Sequence, residues 1–212
     1  MPVVYPGATL TPHFRDFLPG WMARQPWYRG SGQPSLHMVG AFRLEDPAGE
    51  VGIETHLLTD GAAIYQVPMT YRGAALAGPG LAGPGLAGSG LAGSALIATA
   101  EHSVLGTRWI YDGPSDPVWV GQLLQLVADE GVSGPGGRPR DARARGLRRS
   151  QADPTAMATS IELRRVLTAG PVPAEPGTVG VVMGSWQPDN CPPDCHVHGC
   201  LAVVRELRRR RA

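Results

Sequence analysis

The sequence lacks any apolar run that approaches the about 20 residues of a membrane-spanning helix. Its start, MPVVYPGATLTPHF, has neither the basic nor the apolar region of a signal peptide. Charge of one sign is not in excess either: the formal net charge is +1, and so no global basic field favours nucleic acid or an anionic membrane surface. We therefore expect a cytoplasmic protein that does not bind membranes.

Cysteine is scarce, and all three cysteines lie between residues 191 and 200. An odd number of cysteines in one short segment does not build a disulfide framework. With two histidines they offer enough soft ligands for one tetrahedral zinc site; the five residues are Cys191, Cys195, His196, His198 and Cys200. Their CxxxC spacing matches no standard zinc finger or knuckle. We favour a loop insertion without a cofactor, and a zinc site is the alternative.

Glycine and proline are abundant, with 29 and 21 residues, and must lie largely in turns or inserts. Residues 73–94 repeat a five-residue unit, LAGPG or LAGSG, whose period matches neither a helix nor a strand. We predict a flexible loop there, because its leucines are too sparse to offset the entropy of ordering the chain. Residues 131–156 are rich in glycine and arginine and are predicted to form a basic linker. Since no aromatic residues interleave its arginines, it is not expected to bind nucleic acid.

Alternation of apolar and polar residues predicts half-buried antiparallel strands between these segments. Three strand faces are predicted, formed by Leu36, Met38, Phe42 and Leu44, by Val51, Ile53 and Leu57, and by Tyr65, Val67, Met69 and Tyr71. Residues 46–49 (DPAG) and 60–61 (DG) are residue types that favour tight turns, and we predict that they connect these strands. Three more strands are predicted at residues 159–167, 178–186 and 200–207.

Two helices frame the strands. The first is predicted from the helical spacing of Phe14, Phe17, Leu18 and Trp21, and Pro19 is expected to kink it or to begin a second short helix. The second is predicted to begin at the N-cap Asp116 with Pro117 in the first helical position, and its apolar stripe is formed by Val120, Leu123, Leu124 and Val127. The predicted fold class is α+β, a largely antiparallel sheet meander packed by one or two helices.

Four segments carry a resemblance to a known family. They are residues 21–30 (WMARQPWYRG), 65–72 (YQVPMTYR), 95–113 (ALIATAEHSVLG and RWIYDG) and 116–120 (DPVWV). In order and approximate spacing they resemble the N-terminal cap domain of actinobacterial maltokinases, which precedes a kinase with an aminoglycoside-phosphotransferase-like fold. The resemblance covers about residues 8–128. This chain departs from the family at Pro26, where Arg is usual, in the segment after Tyr28, which lacks the usual Lys, and in the lengthened loop at 73–94.

The resemblance implies a stand-alone cap-like domain at residues 1–128, followed by the basic linker at 129–158 and by C-terminal strands at 159–212 that complete the domain. It also implies an accessory or regulatory role in maltose-1-phosphate, glycogen and trehalose metabolism. The implied partner is a sugar kinase or a glucan-metabolising enzyme. The alternatives are a maltokinase-like ATP-dependent kinase and a small glucan-binding or ligand-binding module.

The parts of a phosphotransferase site cannot be assembled from this sequence. Such a site needs a glycine loop over the phosphates, a phosphate-pairing Lys, a catalytic Asp and a metal-binding Asp. The glycine repeat carries Leu-Ala where a P-loop has Lys and Ser or Thr, and no His-x-Asp is present. We therefore expect no enzymatic activity.

The best candidates for contact with a ligand or partner are Arg24, Gln25, Trp27 and Tyr28, joined by Tyr71 and Arg72. Aromatic side chains stack on sugars or anchor partner proteins, although core packing is the favoured interpretation for clustered aromatics. Glu101, His102 and Ser103 offer an acid, a base and a nucleophile. Neighbours in a strand point to opposite faces and cannot relay a proton, so we expect Glu101 and His102 to be buried and satisfied by backbone or arginine partners. Contact with a ligand or partner is the alternative for these two residues.

Overall fold

The computed structural model describes residue 5, residues 7–76, 95–136, 142–170 and 175–188, residue 192 and residues 195–207. Most of the five-residue repeat, and with it the predicted flexible loop, lies outside these ranges, as does Cys191. Within these ranges, no helix has both the length and the apolar character needed to cross a membrane.

The described residues form two α-helices, one 3-10 turn and twelve strands. The helices are α1 (Phe14–Met22) and α2 (Pro117–Ala128), and the 3-10 turn is Gly113–Ser115. The strands are β1 (Leu10–Thr11), β2 (His37–Leu44), β3 (Gly52–Thr59), β4 (Ile64–Arg72), β5 (Leu96–His102), β6 (Gly106–Asp112), β7 (Gly134–Pro135), β8 (Arg143–Arg148), β9 (Thr159–Leu163), β10 (Val166–Leu167), β11 (Thr178–Trp186) and β12 (Val197–Glu206).

The first sheet has eight antiparallel strands in the order β1-β5-β6-β4-β3-β2-β7, with β10 also paired to β4. β3 occupies one edge of β4, so β6 and β10 share the other edge. The N–H of Gln66 on β4 bonds to the carbonyl of Arg165, just before β10. The next position on that side is Pro68, which has no N–H to leave unpaired, and it lies where neither β6 nor β10 pairs with β4. A gap in the strand pairing therefore separates β6 from β10.

The turns of the first sheet use the predicted residues. Asp46 accepts the N–H of Gly49 at its carbonyl, and Gly49 has a φ of +71°. Residues 60–63 connect β3 to β4, Gly61 has a φ of +91°, and the Asp60 carboxylate accepts the N–H groups of Ala62 and Ala63. A side chain other than glycine is strained at such angles, so the sequence placed these turns correctly.

The second sheet has four antiparallel strands in the order β8-β11-β12-β9. The larger core lies between this sheet, α2 and one face of the first sheet. It includes Phe42, Ile53 and Leu57 from the first sheet, Trp119, Leu123 and Val127 from α2, and Ala144, Val182, Trp186, Leu201 and Val204 from the second. The N-cap of α2 is Asp116, whose side chain accepts the N–H of Val118, and Pro117 stands in the first turn, as predicted.

The smaller core lies on the opposite face of the first sheet, under α1. It contains Phe14, Leu18, Trp21 and Met22 from α1 and Leu58, Tyr65, Val67, Met69, Ile97 and Ile110 from the strands. α1 is continuous from Phe14 to Met22 and contains Pro19, so the second short helix expected to begin at Pro19 was wrong. The helix persists because its buried residues on both sides of Pro19 are anchored in this core.

The predicted shared face of Leu36, Met38, Phe42 and Leu44 was wrong. The pairing of β2 with β3 shifts between Met38 and Gly40, which is a β-bulge. Because a bulge adds one residue to one strand, the side chains beyond it change faces. Leu36 and Met38 consequently pack against the smaller core, whereas Phe42 and Leu44 belong to the larger one.

Residues 143–148, predicted to be part of a basic linker, form strand β8. Ala144 and Gly146 are buried while Arg143 and Arg145 are exposed. Buried and exposed residues therefore alternate as in a strand. The pattern was missed because the buried positions carry small residues and the segment is rich in glycine and arginine.

The strand predicted at 159–167 is divided in two. β9 belongs to the second sheet and β10 to the first, so the chain passes between the sheets at Arg164 and Arg165. The strand predicted at 178–186 is confirmed, and the last strand begins at Val197 rather than at residue 200.

Candidate functional site: an aromatic cluster beside a buried ion pair

Four aromatic rings meet where the chain leaves α1 and reaches β4. The ring of Trp27 lies 5.7 Å from that of Trp21 and 6.1 Å from that of Tyr65, and the ring of Tyr28 lies 5.5 Å from that of Tyr65. Trp21 and Tyr65 are buried, whereas Trp27 and Tyr28 are half-buried. The four rings thus form a cluster that is core on its inner side and reaches the surface on its outer side. We call it the aromatic cluster.

Asp60 fixes the polar end of Tyr65. The Tyr65 hydroxyl donates to the carboxylate of Asp60 at 3.0 Å. Burial opposes ionisation of Asp60, but the N–H groups of Ala63 and Ala62 and the Tyr65 hydroxyl together hold its pKa below the ordinary value. Burial, and then the hydrogen bond to Asp60, raises the pKa of Tyr65. The phenol therefore stays a neutral donor to an ionised carboxylate.

Arg165 joins the aromatic cluster to the gap between β6 and β10. Its guanidinium carbon lies 5.1 Å from the centre of the Trp27 ring, a cation–π geometry. Its Nη2 donates to the carboxylate of Asp112, the last residue of β6. Arg165 is 9% exposed and Asp112 is 7% exposed, so both charges are buried and each neutralises the other.

Three buried polar atoms around this pair have no hydrogen-bond partner among the described residues. They are Nη1 of Arg165, Oδ1 of Asp112 and Nε1 of Trp27. Buried polar atoms are nearly always paired with protein or with water. Two donors and one acceptor near one another have the chemistry to hold a water molecule or a polar group of a ligand.

Arg72 and Tyr71 lie at the far end of β4. They are six or seven residues from Tyr65, which corresponds to about 20 Å along a strand. Arg72 donates from Nε and Nη2 to the two oxygens of Asp116 at 2.6 Å each, and Asp116 is fully buried. Burial opposes ionisation of Asp116, but Arg72 and the N–H of Val118 hold its pKa below the ordinary value. This ion pair joins β4 to the start of α2.

Residues 21–116, which contain most of this arrangement, match the model of the maltokinase N-terminal cap domain. The match supports the resemblance seen in the sequence, and we call residues 21–116 the cap segment. No curated protein matches the sequence. The cap segment runs from the end of α1 to the N-cap of α2 and contains the aromatic cluster together with both carboxylates, Asp112 and Asp116. Arg165, which completes the site, lies outside it.

Glu101, His102 and Ser103 of the cap segment each hydrogen-bond to a different part of the chain. His102 Nδ1 accepts the N–H groups of Val104 and Leu105, and Glu101 accepts the hydroxyl of Thr107. Ser103 Oγ accepts the N–H of Thr9. Each side chain closes a different part of the β5–β6 hairpin or of its contact with the N-terminal segment. Glu101 itself is exposed rather than buried.

The cysteine and histidine segment lies at the start of β12, outside the cap segment. Cys195 is disulfide-bonded, whereas Cys200 is a half-buried free thiol whose pKa is raised by burial. His196 and His198 are exposed. In the part of the chain that the structure describes, no three metal-ligating side chains come together. A disulfide sulfur cannot serve as a zinc thiolate, and this disagrees with the alternative of a zinc site that uses Cys195.

The predicted contact residues therefore fall into three places: the aromatic cluster, the end of β4 that carries Tyr71 and Arg72, and the β5–β6 hairpin that carries Glu101 and His102. Trp27 and Tyr28 lie in the aromatic cluster, Gln25 beside it donates to the carbonyl of Trp21, and Arg24 is exposed nearby. The sequence did not assign a role to Asp112 or Arg165. The one sequence feature that singles out Arg165 is the pair of adjacent arginines between Leu163 and Val166, and it does not identify the partner.

Proposed function

We propose that this chain is a non-catalytic accessory domain that contacts a sugar kinase or a glucan-metabolising enzyme of maltose-1-phosphate, glycogen and trehalose metabolism. The observation that carries the proposal is that charged groups of the cap segment hold its own fold. Arg72 is bound by Asp116, and Asp112 is bound by Arg165. Side chains fixed in this way position a surface and do not move protons or phosphate. The metabolic setting comes from the family alone.

The sequence supports the absence of phosphotransfer. Kinases place a lysine on the phosphates of the nucleotide, and this chain contains no lysine. We expect the purified protein to form no maltose 1-phosphate above the buffer level when it is given ATP, magnesium and maltose. A complete maltokinase in the same assay is the positive control. A steady turnover that a point substitution abolishes would overturn the proposal.

The outer side of the aromatic cluster is the surface best suited to partner contact. Trp27 and Tyr28 are half-buried, and Arg24 is exposed beside them. Tryptophan, tyrosine and arginine are the residues that most often dominate binding energy at interfaces. Binding to a purified maltokinase kinase domain, measured by calorimetry, should be weakened by Arg24→Glu. Arg15→Glu, an exposed arginine on α1 before the cap segment, is the matched control and should bind as the unchanged protein does.

A second candidate function is glucan binding, favoured by the unpaired donors Trp27 Nε1 and Arg165 Nη1 beside an aromatic ring. Aromatic faces with oriented donors are the common means of holding a sugar. Titration with maltoheptaose, followed by tryptophan fluorescence, separates the two candidates. Saturable quenching that Trp27→Phe alters would favour the glucan module, whereas an unchanged spectrum together with kinase-domain binding supports the accessory role.

A further inference from the structure

The gap between β6 and β10 separates two strand ends along the same edge of β4. β6 ends with Asp112 opposite Met69, and β10 begins opposite Tyr65. Four residues of a strand span about 13 Å, and Pro68 offers no N–H in this interval. The side chains of Asp112 and Arg165 meet across the gap, so charged groups rather than backbone pairing join the two strand ends.

The ion pair across this gap uses one arm of each partner. Nη2 of Arg165 donates to Oδ2 of Asp112, while Nη1 and Oδ1 have no hydrogen-bond partner among the residues that the structure describes. A guanidinium and a carboxylate frequently pair through both arms. Both side chains are buried, and buried polar atoms are nearly always paired. The two remaining arms therefore indicate a place for a third group.

Trp27 adds a second donor at this place. Its ring lies 5.1 Å from the guanidinium carbon of Arg165, and its Nε1 is buried without a hydrogen-bond partner in the described part of the chain. We call the three atoms Trp27 Nε1, Arg165 Nη1 and Asp112 Oδ1 the interstrand site. Because Trp27 as a whole is half-buried, its ring forms the wall between this site and solvent.

The three atoms define the chemistry of the group that would satisfy them. A hydroxyl oxygen accepts from two donors and donates one proton, which matches two donors and one acceptor. A carboxylate or phosphate would be repelled by Asp112, and an ammonium group would be repelled by Arg165. A water molecule has the same capacity as a hydroxyl, and a ligand hydroxyl can replace it because it reproduces the hydrogen bonds.

We propose that the interstrand site binds a hydroxyl group of a neutral sugar or polyol. The proposal rests on the second candidate function given above and narrows it, since it names the atoms that bind and predicts discrimination against charged ligands. Trp27 and Asp112 belong to the cap segment, whereas Arg165 lies beyond it. A bound hydroxyl therefore bridges the cap segment and the connection between β9 and β10, and the cap segment by itself lacks one of the two donors.

The indole N–H signal of Trp27, in a nitrogen-correlated NMR spectrum of the full chain, reports on this site. Its loss in Trp27→Phe assigns it. Propanol, propionate and propylammonium are the probes, because they carry a hydroxyl, an anion and a cation on the same arm. Propanol should shift the signal saturably, and the two ions should bind at least about tenfold more weakly. Equal binding of the three probes would overturn the proposal.

A pair of tryptophan variants tests the indole donor. Trp27→Phe keeps a ring but removes the donor, so propanol affinity, measured by saturation-transfer NMR, should fall by about tenfold. Trp21→Phe is the matched control, since it removes another buried and unpaired indole N–H from the aromatic cluster, and it should bind as the unchanged protein does. Arg165→Lys, which keeps the charge beside Asp112 but removes the second guanidinium arm, should also weaken binding.

Equal effects of the two phenylalanine variants would show that loosening of the aromatic cluster, not loss of the donor, weakens binding. That result would overturn the proposal, and so would the absence of any saturable shift, which would leave a structural water as the only occupant. Competition then identifies the source of the hydroxyl: displacement of propanol by maltoheptaose indicates a glucan, and displacement by glycerol alone indicates a small polyol. Maltoheptaose that binds without displacing propanol would contradict this site and leave the glucan-binding candidate standing.

Discussion

Two Arg–Asp pairs with buried carboxylates join neighbouring elements of the chain. Asp112 and Asp116 flank the 3-10 turn between β6 and α2, and each binds an arginine from a different element. Removing one partner of a buried pair is costly, because the other charge is left without compensation. The pair of Arg72 with Asp116 lies wholly in the matched segment, whereas Asp112 depends on an arginine beyond it.

Asp116→Asn should separate the charge of Asp116 from its capping role, because Asn is also a good N-cap. At neutral pH we expect a loss of about 3 kcal/mol in the free energy of unfolding. The folded pKa of Asp116 lies below its unfolded value of about 3.9, so the contribution of the pair is complete above that pH and is lost as the pH falls through the folded pKa.

Urea unfolding of both proteins between pH 7 and pH 3 measures this dependence. The stability gap between the unchanged protein and the Asp116→Asn variant should be constant down to about pH 4 and should narrow below it. Asp129→Asn removes the same charge from an exposed position at the other end of α2 and should leave stability nearly unchanged. A gap that widens as the pH falls would mean that the pKa of Asp116 is raised, not lowered, in the folded protein.

Trp27→Ala should destabilise the domain by about 2–3 kcal/mol, less than a fully buried tryptophan would, because Trp27 is half-buried. The lost contacts are those with Trp21, Tyr65 and the Arg165 guanidinium. Trp27→Phe keeps an aromatic ring there and should recover most of the loss in urea denaturation. If Trp27→Ala unfolds like the unchanged protein but no longer binds a partner, the ring serves contact alone.

The sequence predicted much of this site but not what completes it. Trp27 and Tyr28 were recognisable because clustered aromatics near a helix end are either core or contact residues. Here each ring packs against the core on one side and reaches the surface on the other. The role of Arg165 could not be predicted from neighbouring residues. It depends on a pairing between β10 and β4 that joins residues about 100 positions apart, and no local pattern carries that information.

Close approach of α2 to the second sheet requires glycine on the strands. A Cβ added at Gly146 would overlap the carbonyl oxygen of Leu126, and one added at Gly180 would overlap a methyl group of Val127. A flexible side chain can move aside, but the backbone of a helix cannot do so without shifting the whole element. These two glycines therefore set the distance between α2 and the sheet.

Gly146→Ala should destabilise the protein by about 3 kcal/mol or more, because the added methyl group meets helix backbone. Gly121→Ala provides the contrast, since Gly121 lies in α2 with nothing within 4 Å of an added Cβ. That change should stabilise the protein by about 1 kcal/mol through helix propensity. Thermal and urea unfolding of both variants test the pair, and a tolerated alanine at this β8 position would mean that α2 can move away from the strand.

The strands were predicted best where alternation is strict and turns contain glycine or aspartate, as in β3, β4 and β11. Two failures have clear physical causes. The bulge in β2 follows from pairing geometry and leaves no mark in the hydrophobic pattern. β8 buries alanine and glycine in place of larger apolar residues, because α2 leaves room for nothing larger. Its composition consequently resembles that of a linker.

The two sheets share one large core, so the matched segment is not an independent folding unit. Phe42 and Leu57 of the first sheet lie in the same cluster as Trp186 and Leu201 of the second. The side-chain amide of Gln66 donates to the carbonyls of Arg164 and Leu201 at 3.0 and 2.9 Å. A fragment that ends at residue 136 should therefore show no cooperative thermal transition in near-ultraviolet circular dichroism, whereas the full chain should show one. A sharp transition in the fragment would contradict this.

The pairing of Asp112 with Arg165 also has a consequence for synthesis on the ribosome. The chain emerges from its N-terminus, so the carboxylate exists 53 residues before the arginine that neutralises it. The side-chain amide of Gln66 can donate to the carbonyl of Leu201 only after that residue, 135 positions later, has emerged. During that interval the emerged part of the first sheet has a carboxylate without its arginine and apolar side chains without the core that they join in the complete fold. The interval in which a chaperone can bind the nascent chain is therefore set by translation of the second sheet.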